Sequence, residues 1–352
     1  MTRKVTYMKK RIWASSLLAQ FLLFYLLSKM PWAGQATQSF FEWQKPVHQR
    51  LFSQFPFSLG DVFYVLLAFA LAYLVLKALT PKSRSKALAA LLILLNVVYF
   101  TYQLFWGLLY FQKPIFSESE LREPTEVELK LLATKYLNEC IALRSLVSED
   151  SLGVFKLESL KSIEVEIISQ QSQLPQIIPE KKATGILLFK PSLYSGVMSY
   201  SGILGYYNPF TAEAQYNAKL PSTSLPFTLA HESAHQLGFA REQEANFIGY
   251  LLGKNSTNTE LLYSTNYFVL RNLLWSLYSV DPKFVEETLE LYSEGMRRDA
   301  EAAKLFNEKH EGVFDDFFQW TNDLFLKSNQ QEGRVTYSYF VHLLVHYEMS
   351  LP

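Results

Sequence analysis

Two histidines stand four residues apart in LAHESAHQLGFAREQEANFIGY (229–250), with a glutamate directly after the first. On a helix, His231 and His235 project from one face about one turn apart. Two imidazoles so placed can grip one Zn2+ at about 2.0–2.1 Å each. Glu232 follows the first of them, where it can hydrogen-bond a metal-bound water without binding the metal itself. Two ligands and a general base on one helix are what a metal-dependent hydrolase requires of it.

The flanking residues must build that helix and bring a third ligand to it. Pro226 suits the first turn, where its missing N–H is no loss. Gly238, three residues past His235, offers a helix stop. The chain restarts as AREQEANFIGYLLG, and on a second helix Ala240, Glu244, Phe247, Ile248 and Leu251 share one stripe at steps of three and four. Glu244 then falls on an apolar face, where an unpaired carboxylate is costly and ligation of a metal relieves the cost. Its competing role is an ion pair with Arg241, one turn earlier. Glu242 lies about 200° round the helix from Glu244 and is expected to face water. Arg241 stands where the longer HExxHxxGxxH pattern carries a third histidine, and a guanidinium cannot ligate. The expected cofactor is therefore one Zn2+ per chain, held by His231, His235 and Glu244 with a fourth position open to water.

This constellation points to hydrolysis of a peptide bond in a peptide or protein substrate. Glu232 takes the proton of the zinc-bound water and passes it to the leaving amine. The preceding segment GYYNPFTAEAQYN (205–217) can supply an edge strand for an extended peptide, with Tyr207, Asn208 and Glu213 as substrate contacts. An ordinary hairpin over the core is the alternative there. The oxyanion needs a donor. Tyr337, Tyr339 and His342 in RVTYSYFVHLLVHYE are candidates, as are Tyr206 and Tyr207, with Tyr339 preferred. For the domain as a whole, a non-catalytic zinc-containing binding or scaffold module is the alternative. No fourth protein ligand is evident nearby to close the site, which favours catalysis.

The first third of the chain reads as membrane. Apolar stretches at 12–28, 62–79 and 87–111 approach or exceed the roughly 20 residues that cross a hydrocarbon core, and the third carries no charge. The tail MTRKVTYMKKR holds five basic residues, and KALTPKSRSKA (77–87) holds four. The positive-inside rule puts both in the cytoplasm and everything after residue 112 outside. The expected organisation is a membrane domain over 1–112 and an extracytoplasmic domain over 113–352, in a multi-pass protein of the cell membrane.

Basic and acidic residues number 33 each, so no global charge attracts nucleic acid. A single cysteine, Cys140, excludes an intramolecular disulfide and any Cys-rich zinc finger. Beyond residue 114 a long amphipathic helix is expected from near Thr125. SIEVEIISQ (162–170) alternates with period two and reads as a strand, TGILLFKPS (184–192) as a second, and 194–217 as short strands joined by turns. After Pro226 the chain reads as helical nearly to its end, with DPKFVEETLELYSEGMRRDAEAAKLFNEKH among its longest runs. The fold class expected is α+β.

The stretch from GYYNPFTAEAQYN to LPFTLAHESAHQLGFAREQEANFIGYL, with three leading spans and WGLLYFQKP, resembles an uncharacterised family of bacterial membrane proteins with a zincin-like domain. The resemblance covers most of the chain; it implies a fold and a metal site but no substrate. HESAH followed by QEAN is also similar, over about twenty residues, to zinc metallopeptidases in which the glutamate before Ala-Asn is the third ligand. That second resemblance implies Glu244 in the role.

Overall fold

The computed structural model describes residues 2–117, 119–175, 178, 181–186, 188–312, 320, 323, 324, 327 and 338–351, with 2–9 and Ser338 described by backbone alone. The chain divides into two compact units: residues 1–113 with 208–213, and residues 114–207 with 214–352.

In the first unit, α1 (Thr2–Ser28), α3 (Leu59–Leu79) and α4 (Arg84–Phe105) are long and apolar enough to cross a membrane, which associates the chain with the bilayer. α4 packs against both of the others. One polar pair fixes α1 against α4: Gln20 donates to the Asn96 side-chain oxygen at 2.9 Å, and Asn96 donates to the Trp13 carbonyl at 3.0 Å. Such a pair sets register where apolar packing alone would let helices slide. The third apolar stretch ends as an α-helix at Phe105, not at 111; Gly107–Phe111 tighten into a 3-10 turn.

The segment between the first two apolar helices, expected from its mixed charge and aromatic content to be a loop, is a helix: α2, Pro31–Phe52. Pro31 opens it at a position that needs no donor. Gly34 lets it approach the Phe111 backbone so closely that a Cβ there would overlap the carbonyl. Further along, Phe41 lies against Trp106.

The hairpin tip 208–213 groups with this unit. Ser58 caps α3 by accepting from the Asp61 N–H at 3.0 Å. The Glu213 carboxylate takes the two N–H groups before it, Leu59 at 3.1 Å and Gly60 at 2.5 Å, and also accepts from the Thr211 hydroxyl. Three donors at the head of one helix are thereby satisfied.

In the second unit, α5 (Glu126–Arg144) starts in a capping box in which Thr125 and Glu128 satisfy each other's backbone N–H. The segment expected as the first strand is a helix, α6 (Leu160–Gln170). Ser159 caps it, and Ile163, Ile167 and Gln170 are buried at steps of four and three. That stripe outweighed the local alternation because the unit offers a helical surface, not a sheet edge, to bury it.

β1 (Phe189–Pro191), β2 (Gly205–Asn208) and β3 (Glu213–Tyr216) form one small sheet in the order β1-β3-β2. β1 runs parallel to β3, pairing Phe189 with Ala214 and Pro191 with Tyr216. The short helix α7 (Ser195–Tyr200) lies between β1 and β2 in sequence.

The helical half comprises α8 (Leu225–Gln236), α9 (Glu242–Lys254), α10 (Thr259–Tyr278), α11 (Pro282–Glu290), α12 (Glu294–His310) and α13 (Ser338–Ser350). The long run 281–310 breaks between Leu291 and Ser293, where Ser293 caps the next helix through the Met296 N–H. α10 packs along α5, burying Leu137, Cys140, Leu270 and Leu273 in one apolar cluster. The architecture is mostly helical with a small three-stranded sheet.

Candidate metal centre

α8 and α9 form a helical hairpin whose turn decides where its side chains meet. α8 stops in a Schellman turn: the Gly238 N–H donates to the His235 carbonyl at 2.9 Å and the Phe239 N–H to the Ala234 carbonyl at 3.1 Å. Gly238 sits at φ +90°, which a residue with a Cβ resists. The turn swings the Phe239 carbonyl back under the helix, where it accepts from His235 Nδ1 at 2.6 Å.

α9 then returns across α8 at very close range. A Cβ on Gly249 would lie 3.1 Å from the His231 backbone nitrogen, so only glycine lets the two helices approach without displacement. One turn earlier on the same face, Asn246 Oδ1 stands 2.8 Å from His231 Nδ1. One turn earlier again is Glu242, whose carboxylate lies 3.4 Å from His231 Nε2 and 3.8 Å from His235 Nε2. Glu242, Asn246 and Gly249 are thus the i, i+4, i+7 stripe that α9 presents to α8.

This geometry fits a small cation. Each imidazole commits Nδ1 to an oxygen acceptor, which turns both Nε2 atoms toward one carboxylate, where each can offer a lone pair once His231 gives up its proton. The ligand atoms of His231, His235 and Glu242 all lie within 4.8 Å of one another. Ligand atoms around a tetrahedral zinc stand about 3.3–3.4 Å apart, so the set would draw together, by up to about 1.5 Å, on taking one. Electrostatics agree. Burial works to lower the His231 pKa, but the hydrogen bond and charge of Glu242 outweigh it and raise it to about 9. Burial, then the charge on His231, lowers His235 to about 4. One positive charge is therefore held between these groups, and it is the proton a metal would displace.

Glu232 points into a drier place. It is 3 % exposed, burial raises its pKa to about 8, and His231 and Glu242 are the charges it feels. One carboxylate oxygen has no hydrogen-bond partner among the described residues. The first residue of β2 closes over the other side: a Cβ on Gly205 would lie 2.6 Å from Glu232 Oε1 and 2.9 Å from the Gln215 carbonyl.

The structure brings together His231, Glu232 and His235 but not Glu244. Glu244 Oε1 accepts from Arg241 at 2.7 Å and from the Ile115 N–H at 3.1 Å. The ion pair weighed against ligation is the arrangement found, and Glu242, expected to face water, takes the place beside the histidines. The physical reason is the phase of α9. From Glu244 to Gly253 every residue is buried, so the apolar stripe does not single out the face toward α8. The signal that does is the Glu-Asn-Gly spacing, with the glycine marking where backbones touch.

The other candidates fall elsewhere. Glu213 serves the head of α3 as described, and Asn208 Oδ1 accepts from the Phe210 N–H to start the hairpin turn. Tyr207 is buried, and burial pushes its phenol far up. Tyr206 shares a hydrogen bond of 2.8 Å with Tyr194. Tyr339 lies in α13 with its ring edge-on to His342, centroids 5.6 Å apart. His342 Nε2 stands 3.4 Å from Glu123, and His346, four residues on, rests on Phe116, so these two histidines of α13 turn to separate partners. Tyr337 lies outside the described residues.

Residues 37–345 match the family described as "Protein of unknown function (DUF3810)". The chain belongs to that family. No curated protein and no solved structure matches it. The match to DUF3810 takes in two of the three apolar helices entire, the hairpin and the whole α8–α9 centre, so these form one family architecture.

Proposed function

We propose that this protein is a membrane-anchored, zinc-dependent metallopeptidase whose ligands are His231, His235 and Glu242, with Glu232 as general base. The observation that carries the reading is the orientation of the two imidazoles: both Nδ1 atoms are tied back, and both Nε2 atoms converge on one carboxylate. A zinc held there supplies Lewis acidity, making a water more acidic and a carbonyl more electrophilic. The chain's own residues do the rest. Asn246 and the Phe239 carbonyl fix the ring orientations. Glu232, kept dry by burial, takes a proton from the attacking water and delivers it to the leaving amine. His231 and Glu242 are each partly exposed, which gives a substrate a side of approach.

α1, α3 and α4 are read as membrane spans, with the basic tail and the 77–87 turn cytoplasmic and the second unit outside. The zincin-like character of the second unit belongs to the same reading. It rests on the HExxH helix beside a small sheet, with Gly205 of that sheet against the general base.

The test uses the full chain in detergent. Zinc content is measured for wild type, His235→Ala and Glu232→Gln, followed by a peptide-library cleavage screen. Wild type and Glu232→Gln hold about one zinc each, His235→Ala loses it, and only wild type cleaves. A wild type that holds no zinc in metal-replete buffer overturns the reading.

A further inference from the structure

α2 is inside out. On a helix in water, polar side chains face the solvent and apolar ones the protein. Here the face turned to the protein carries Thr37, Gln44, Lys45 and Gln49, all buried, beside Gly34 and Phe41. The face turned outward carries Trp32, 60 % exposed, Trp43, 70 % exposed, and Val47, 60 % exposed. Gln35, Ala36, Ser39, Pro46 and Arg50 complete that outer stripe, so its single charge is positive and it holds no acid.

Connectivity keeps this helix at the bilayer. Only Lys29 and Met30 separate it from α1, and only 53–58 separate it from α3. Twenty-two residues rise about 33 Å, while the seven steps from Phe52 to Leu59 reach about 25 Å at full stretch. A helix standing upright on the membrane could not return its end to the start of α3. α2 must therefore incline toward the surface.

We propose that the outer face of α2 is a lipid-binding surface, with the helix lying in the headgroup–acyl boundary and Trp32 and Trp43 inserted. Tryptophan is the side chain most enriched at that depth, because an apolar ring and one N–H suit a layer that is neither dry nor wet. Arg50 in the same stripe suits anionic headgroups. The inference rests on the reading of α1, α3 and α4 as spans.

The test places a nitroxide label at Trp43→Cys, Val47→Cys and, inside α3, Phe69→Cys, in full-length protein reconstituted in phosphatidylcholine–phosphatidylglycerol vesicles. Cys140 is fully buried and needs no replacement. Power saturation then compares relaxation by oxygen, which partitions into lipid, with relaxation by a nickel chelate, which stays in water. The expected result is oxygen relaxation several-fold above nickel relaxation at 43 and 47, with position 69 deeper still. Nickel-dominated relaxation at 43 and 47 with a lipid signal at 69 overturns the proposal and leaves the spans standing. A water signal at all three overturns the membrane reading as well. Protection from both reagents at 43 and 47 means that a protein surface covers α2, which also overturns the proposal. A second readout needs no cysteine: brominated lipids quench the tryptophan fluorescence of wild type, and the quenchable fraction falls in Trp32→Phe/Trp43→Phe. An unchanged fraction counts against insertion.

Discussion

Glu242→Gln and Glu244→Gln change the same group two residues apart, and they should differ greatly in zinc affinity. Zinc held by four protein ligands is bound with about 10–16 kcal/mol, or roughly 2.5–4 kcal/mol per ligand. At about 1.4 kcal/mol per decade, loss of the Glu242 carboxylate should raise the Kd by on the order of 10²–10³-fold. Glu242 is the carboxylate that lies 3.4 Å and 3.8 Å from the two Nε2 atoms, so this loss falls on the centre directly. Glu244→Gln leaves the three ligand atoms where they are, and its Kd should stay within about threefold of wild type. Its cost appears in folding instead. A buried carboxylate holding the Arg241 guanidinium and the Ile115 N–H is replaced by an amide that keeps only part of both, at about 1–3 kcal/mol. The assay is competition against a chelator of known zinc affinity, beside thermal unfolding of the metal-free protein. If Glu244→Gln loses zinc as His235→Ala does while Glu242→Gln keeps it, the assignment of the third ligand from this geometry is wrong.

Asn246→Ala should weaken zinc about 10–100-fold by freeing the His231 ring, read in the same competition. Gly205→Ala should keep its zinc and lose turnover, because its Cβ would press on Glu232 Oε1 and the Gln215 carbonyl; kcat and zinc content together check this. Glu213→Ala should destabilise the first unit by about 1–3 kcal/mol, seen as easier unfolding in detergent, since two N–H groups at the head of α3 lose their acceptor. Glu128 is held at about 2 by the Arg122 hydrogen bond and then by Thr125. Its depressed pKa contributes stability above the ordinary 4.5, and that contribution is lost as pH falls through about 2. Unfolding curves of Glu128→Gln and wild type should therefore separate at pH 7 and converge near pH 2.

The sequence signals that held up were long or tightly spaced. The three apolar helices announce themselves by the absence of charge over many turns, and α5 by a capping box at Thr125. HESAH places both histidines on one helical face whatever surrounds it. The rest depended on what each segment packs against. α6 carries two periodicities at once in SIEVEIIS, and only the neighbouring helices choose between them. α2 was read as a loop on its mixed charge and aromatic composition, and its helix rests on packing against α1, α4 and the 107–111 turn, which no local pattern announces. Glu242 was set aside for a similar reason. The apolar stripe of α9 was taken to mark its inner face, but a helix buried all round has no outer one, and the close approach at Gly249 fixes the phase.

The Glu213 bridge to the head of α3 has a consequence for the order of assembly. Gly60 and its acceptor are separated by 153 positions along the chain. A polypeptide made from its N-terminus forms the apolar helices first, yet the Leu59 and Gly60 amides at the head of α3 must wait for Glu213. A segment synthesised early is thus completed by one made 153 residues later. A cut at residue 113 does not yield two finished halves: it takes the Glu213 carboxylate away from the Leu59 and Gly60 amides, leaving Ser58 as the cap of α3 and Thr211 as a donor to Glu213.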